Sequence, residues 1–113
     1  MHVDSYSFGR IVIDGKTYTS DVIVYPHRVD SSWWREEGHL LQKGDLKDVI
    51  AAKPDILVVG TGANGVMHVA EGTIGFLRSQ GIEVHVDKTA KAVDLFNNQP
   101  AGKKVVGAFH LTC

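Results

Sequence analysis

Cysteine, surplus positive charge and long apolar runs are what this 113-residue sequence has least of, and each shortage removes a class of protein. The single Cys113 has no partner for an internal disulfide, which suits a reducing compartment. Twelve Lys and Arg against thirteen Asp and Glu leave a formal net charge of -1. No basic excess is therefore there to release counterions, and nucleic acid is not an expected partner. The longest apolar runs fall far short of the ~20 residues that cross a bilayer, so no membrane association is expected. The first residues, MHVDSYSFGRIVI, turn at once into a strand pattern without a basic apolar leader, which makes the cytoplasm the expected location. Gly-x-Ser-x-Gly, Gly-Lys-Ser/Thr and Cys-x-x-Cys do not occur. The histidines, at 2, 27, 39, 68, 85 and 110, include no pair at the spacing of a helical zinc motif. No metal, no cofactor and no catalytic residue is expected.

What the chain does have is apolar content of 43% with 22% charged residues, ordinary for a soluble globular domain. At this length one core is expected, burying about 65% of the unfolded surface, in a single α/β domain over 1–113. Its portions are a β-hairpin or meander (1–26), an irregular Trp-containing segment (27–44) and an αβαβαβ portion (45–113). Between SFGRIVI and KTYTSDVIVY stands Asp14-Gly15, the strongest short hairpin signal, because both residues tolerate positive φ. HRVDSSWWREEGHLLQKG lacks periodicity and wraps one side of the core. Asp45 is positioned to cap a helix over LKDVIAAK, with Leu46, Val49 and Ile50 on one face, ending at Lys53-Pro54. Then follow a strand from Ile56 to Val59, a helix from about Ala70 to Gln80, a strand from Ile82 to Val86, a helix from about Lys88 to Asn98 capped by Asp87, and a strand from Lys104 to Leu111. Short apolar strands alternating with helices imply parallel pairing and a sheet covered by helices.

The stretch ILVVGTGANG satisfies Gly-x-Gly-x-x-Gly at Gly60, Gly62 and Gly65, and Asp87 stands 22 positions beyond Gly65, near where a ribose-binding carboxylate would be expected. A dinucleotide site also needs the helix to start directly at the loop. Here Val66-Met67-His68-Val69 alternates like a strand, so the helix starts too late, and dinucleotide binding is disfavoured. Two readings remain: a sharp turn at the end of a buried strand, or a small anion held by the amides of Gly60, Thr61 and Gly62.

In WWREEGH, Arg35, Glu36, Glu37 and His39 offer an acid, a base and an anion clamp; alternatively one tryptophan anchors the segment while Arg35 pairs with a neighbouring carboxylate. His110 and Cys113 in FHLTC, and His85 with His110 on strands that could be neighbours, are further combinations, beside the simpler one of a partly buried histidine bonded to backbone.

WWREEG, the capped helix, LVVGTG, GIEVHV, TAKAVDLFN and GAFHLTC, in that order, resemble the small α/β family that includes the adipogenesis-associated domain protein and a mitochondrial complex I assembly factor. The likeness spans nearly the whole chain and is greatest to the cytosolic, adipogenesis-associated type and its microbial counterparts. It rests above all on Trp34-Arg35-Glu36, Gly60-x-Gly62 and Phe109-His110-x-Thr112-Cys113. The resemblance implies a three-layer domain with a mixed central sheet and an extra N-terminal β layer. It also implies that the glycines at Gly60 and Gly62 belong to the motif while Gly65 does not, and it brings no established activity. The expected function is a non-enzymatic protein-interaction, assembly or regulatory module with an unidentified protein partner, its apolar patch near Trp33-Trp34 or along a sheet edge. The alternative is a small-anion or ligand binder, or an enzyme, with a pocket at Gly60-Thr61-Gly62 served by Arg35, Glu36 and His110.

Overall fold

The computed structural model describes residues 1–113. Along the chain lie β1 (Val3–Ser7), β2 (Arg10–Ile13), β3 (Lys16–Tyr18), β4 (Val22–Val24), β5 (Val29–Asp30) and β6 (Leu40–Leu41). A 3₁₀ turn (Lys43–Leu46) leads into α1 (Lys47–Ala52), followed by β7 (Ile56–Thr61), β8 (His68–Val69), α2 (Thr73–Ser79), β9 (Glu83–Asp87), α3 (Thr89–Asn97) and β10 (Val105–His110).

Alternation along β7 dictates the layering. Ile56 and Val58 point to one face and Leu57 and Val59 to the other, and all four are buried, so the sheet must be covered twice. The central sheet runs β5-β4-β10-β7-β9, with β7 parallel to β10 and β9, and β4 antiparallel to β10 and β5. One face packs on α3 and on a separate antiparallel sheet β1-β2-β3, through Ile11, Ile13, Val22, Phe96 and Phe109. The other packs on Leu46 and Val49 around α1, Leu77 of α2, Leu41 of β6 and Met67 just before β8. This is the expected three-layer α/β arrangement with a mixed sheet and an N-terminal β layer.

Asp14 (φ 47) and Gly15 (φ 81) form the expected hairpin turn. The second arm does not run through to Tyr25, however. It breaks after Tyr18, so that β3 stays in the outer sheet while β4 enters the central one. A period-two pattern reports which face is buried, not which sheet a strand joins. Gly9, at φ 74, turns β1 back onto β2 and completes a three-stranded meander. Asn97 fastens that sheet to α3: its side chain accepts from the Val3 amide at 2.9 Å and donates to the Val3 carbonyl at 2.8 Å.

Two caps differ from expectation. Asp45 sits inside the 3₁₀ turn, where its carboxylate accepts from the amides of Gln42 (2.9 Å) and Glu36 (3.2 Å). Lys88 rather than Asp87 occupies the cap position of α3, and Asp87 accepts from the Lys88 amide at 2.8 Å. Of Val66 to Val69, whose alternation reads as strand, His68 and Val69 form one, pairing in parallel with Leu40 and Leu41, and none is helical. Helix α2 therefore begins only at Thr73, after Gly72 at φ 81.

Candidate functional site

The glycine loop closes on the chain itself. Beyond β7, Gly62 at φ 104 lies so near the Cys113 carbonyl that no Cβ would fit. A Cβ on Gly60 would meet the Thr89 hydroxyl at 2.7 Å and the Phe109 ring at 3.0 Å. Every amide from Gly62 to Val66 has an internal acceptor. Gly62 donates to the Thr89 hydroxyl at 2.8 Å, and Ala63 to the Thr112 carbonyl at 2.6 Å. Asn64 and Val66 donate to the Cys113 oxygen at 3.3 and 2.9 Å, and Gly65 to the Gly62 carbonyl at 3.3 Å. The Thr61 hydroxyl donates to the Asp87 carbonyl at 3.1 Å. None of the surface clefts is lined by Gly60, Thr61 or Gly62. A nest of free amides is thus not what the loop presents, and the reading that fits is the sharp turn. The cause is the segment after β10, which continues past the bend and saturates it.

Arg35 and His110 do meet, around a residue the sequence reading did not single out. Asp21, between β3 and β4, receives Arg35 Nη2 at 2.7 Å and His110 Nδ1 at 2.8 Å on Oδ2, and the Leu111 amide at 2.8 Å on Oδ1. Because Nδ1 faces a carboxylate it carries the proton, so the 3.2 Å approach of Arg35 Nη2 to Nδ1 joins two donors that share one acceptor. Arg35 also donates through Nε and Nη2 to the Gly38 carbonyl at 3.1 and 2.8 Å, and its guanidinium lies 4.7 Å over the Trp33 ring. The His39 ring stands edge-on to His110 at 5.7 Å. The side chains of Arg35 and His110 are each 6% exposed and that of Asp21 18%.

Burial alone would raise the Asp21 pKa, but hydrogen bonds from His110, the Leu111 amide and Arg35, with the charge of His110, outweigh it and hold the group at about 2. Asp21 is the permanent anion of the cluster. Burial, then the Asp21 charge, pushes the phenol of Tyr6 up; its hydroxyl donates to the Leu111 carbonyl at 2.9 Å.

An aspartate on the Nδ1 of a histidine is half of a proton-transfer device, which also needs a nucleophile at Nε2. His110 Nε2 is enclosed and has no protein partner, and neither has Arg35 Nη1; no cleft reaches either residue. Cys113 takes no part in the cluster's hydrogen bonds. His85 is not beside His110, since β7 separates β9 from β10; its Nε2 pairs instead with Glu83 at 2.6 Å. No three His, Cys, Asp or Glu side chains converge as metal ligands.

Glu36 points elsewhere. It lines a cleft of about 470 Å³ with Trp33, Trp34, Asp30, Asp45, Lys47 and Asp48. Trp33 is the anchoring tryptophan, half-buried against the core, with its Nε1 donating to the Asp45 carbonyl at 3.0 Å. Trp34 is 75% exposed. The carboxylate that pairs with Arg35 is 14 residues away rather than adjacent. The one signal for it was a charged residue placed directly before the apolar run VIVY.

The chain belongs to the family described as protein of unknown function (DUF498/DUF598), whose model matches residues 3–110. It is similar to a conserved hypothetical protein of Pyrococcus horikoshii OT3, at 25% identity over all of both chains with a TM-score of 0.84. A Bordetella pertussis protein described as an Mth938-like domain matches at 19% identity, over 97% of this chain and 85% of the other, with a TM-score of 0.66. A Bartonella henselae protein described as an outer membrane protein matches at 19% identity, over 98% and 94%, with a TM-score of 0.78. The last two show the fold alone. The resemblance drawn from WWREEG, LVVGTG and GAFHLTC is thereby shown at the level of the family. In this chain no helix is long and apolar enough to cross a membrane.

Proposed function

We propose that the domain is a non-enzymatic protein-interaction module of the cytoplasm that offers Trp34 and the adjoining cleft to a partner protein. In this reading the Asp21–Arg35–His110 cluster is a fastening, not a catalytic device. The observation that carries the proposal is the pairing of exposure with anchorage. Trp34 is 75% exposed, yet its neighbours on both sides are tied down, Trp33 by Asp45 and the core, Arg35 by Asp21 and Gly38. Anchorage on both sides fixes the stretch of backbone from which Trp34 projects, so less backbone freedom is lost on binding, and large exposed aromatics are where interface energy concentrates. Asp30, Glu36 and Asp48 around the same cleft supply a polar rim.

The test places a photo-crosslinking amino acid at Ser32, on the cleft wall, in otherwise native protein and in a Trp34→Ala variant. One stable partner should be captured by the first and lost from the second, while unfolding free energies agree within about 0.5 kcal/mol, as for an exposed substitution. Equal capture by both, or capture of nothing from native extract, would overturn the proposal.

A further inference from the structure

The central sheet has two ends, and they are unlike. At one, β5 is only two residues long. At the other, β9 offers five residues, Glu83 to Asp87, with no proline, and pairs with β7 alone. The Glu83 amide donates back to the Asp55 carbonyl at 3.0 Å, which fixes the phase of the ladder. Glu83, His85 and Asp87 turn their backbone groups toward β7, and Val84 and Val86 turn theirs outward. A regular strand with outward amides and carbonyls is a template for another strand, unless something blunts it.

Side chains say which strand would fit. On one face of β9, Val84 is buried and Val86 is 37% exposed, leaving an apolar shelf at the rim. On the other stand Glu83, His85 and Asp87, with Glu83 and His85 bonded to each other at 2.6 Å. The row is acidic at both ends with a histidine between. A second copy of this chain, paired antiparallel over the full strand, would set Glu83 opposite Asp87 twice, and like charges in direct opposition are destabilising.

We infer that β9 accepts an extended segment of a partner protein as a sixth strand, and that this segment carries Lys or Arg at two positions four residues apart, opposite Glu83 and Asp87, with apolar β-branched residues on the alternate face to meet Val86. Main-chain bonds to Val84 and Val86 supply the affinity, and the two carboxylates supply the choice of partner. This surface is independent of Trp34. Asp30 of β5 borders the tryptophan cleft, so the two lie at opposite edges of the sheet, separated by four strand spacings of about 4.8 Å each. Both can be occupied together, which would make the domain a bridge between two chains.

The experiment uses the full chain and an acetylated, amidated peptide, Thr-Lys-Val-Thr-Val-Lys-Thr, followed by amide-resolved NMR and hydrogen exchange. Binding should slow exchange of the Val84 and Val86 amides specifically. The same peptide with Glu in place of both Lys should bind about tenfold or more weakly. Val86→Pro is the decisive variant: its lost N–H faces outward, so the β7 ladder survives and thermal stability should hold while binding falls by at least about tenfold. Glu83→Lys with Asp87→Lys should reverse the preference toward the Glu peptide. Lys-peptide binding unchanged by Val86→Pro, indifference to the charge reversal, or self-association that already protects Val84 and Val86 would each overturn the inference, the last by assigning the edge to a second copy.

Discussion

Asp21→Asn removes a charge and almost no volume, and it separates the fastening role of the buried cluster from mere packing. Two effects set its cost. The carboxyl group is drawn down from 3.8 to about 2, and one pKa unit corresponds to about 1.4 kcal/mol, so ionised Asp21 stabilises the fold by about 2–3 kcal/mol. Removing one partner from a buried pair costs about 3–5 kcal/mol, because the other is left enclosed without compensation. Arg35, at 6% exposure, would be so stranded, whereas Asp21 at 18% keeps some solvent, and the lower end of that range applies. The expected loss at pH 7 is about 3 kcal/mol, or roughly 10–20 °C in Tm for a domain of this size. The sign of the pH dependence follows from the direction of the shift. A depressed carboxyl pKa contributes stability that is complete above about 3.8 and disappears as pH falls through about 2. Urea unfolding from pH 7 to pH 2, read by tryptophan fluorescence, should therefore show a wide gap between wild type and variant that narrows below pH 4. Adding Arg35→Met should recover part of the loss, since the stranded cation goes with it. A gap under about 1 kcal/mol at pH 7, or one that stays constant down to pH 2, would refute the assignment of the stabilisation to the Asp21 charge.

Gly62→Ala should cost about 3 kcal/mol, because it combines φ 104 with a collision on the Cys113 backbone, whereas Gly65→Ala, at φ 70 and 3.3 Å from the pliable Lys88 side chain, should cost about 1; equal losses in urea titrations would contradict this. Tyr6→Phe gives up the bond to the Leu111 carbonyl, about 1 kcal/mol at pH 7. Because burial and Asp21 raise its pKa above 10.0, the neutral phenol's contribution is complete below that value and is lost as pH rises through the higher folded one; the variant should show a shallower alkaline fall in denaturant midpoint. Millimolar NAD or phosphate should leave Tm unmoved, since the amides from Gly62 to Val66 are already bonded, and a rise of several degrees with either would reopen the loop as a site.

Much of the fold was legible because local rules and tertiary demands coincide in it. Asp14-Gly15 names its own turn, the four buried residues of β7 announce a sheet covered on both faces, and the alternation from Val66 to Val69 marks a strand where a nucleotide site would require helix. What was not legible is non-local. The break that sends β3 and β4 to different sheets lies inside a run of uniform strand character. His85 and His110 looked like possible neighbours because strand order is invisible to spacing. Asp21 escaped notice since its partners are 14 and 89 residues distant, and a lone aspartate before an apolar run is as often a solvated strand end. Of the candidate site residues, Arg35 and His110 converge, Glu36 faces the tryptophan cleft, and Gly60 and Thr61 end β7 with Gly62 directly after them, their contacts internal.

The motifs that first suggest chemistry are joined by a single device, the segment from His110 to Cys113. The His110 side chain binds Asp21 and its carbonyl accepts the Thr89 hydroxyl at 2.6 Å; that same hydroxyl oxygen receives the Gly62 amide. One residue on, the Leu111 amide holds the other oxygen of Asp21, and then the Thr112 and Cys113 carbonyls take up the loop amides. The glycine loop, the start of α3 and the Arg35 anchor of the tryptophan segment thus share four residues of backbone as their common partner. A side chain at Gly62 would push this shared backbone away and one at Gly60 would collide with Thr89 and the Phe109 ring, whereas one at Gly65 would meet only the side chains of Lys88 and Thr61. A pattern of residues that would cradle a phosphate in a nucleotide-binding protein serves here to seat a strand end, and the strand end in turn fixes the segment that holds Trp34 outward.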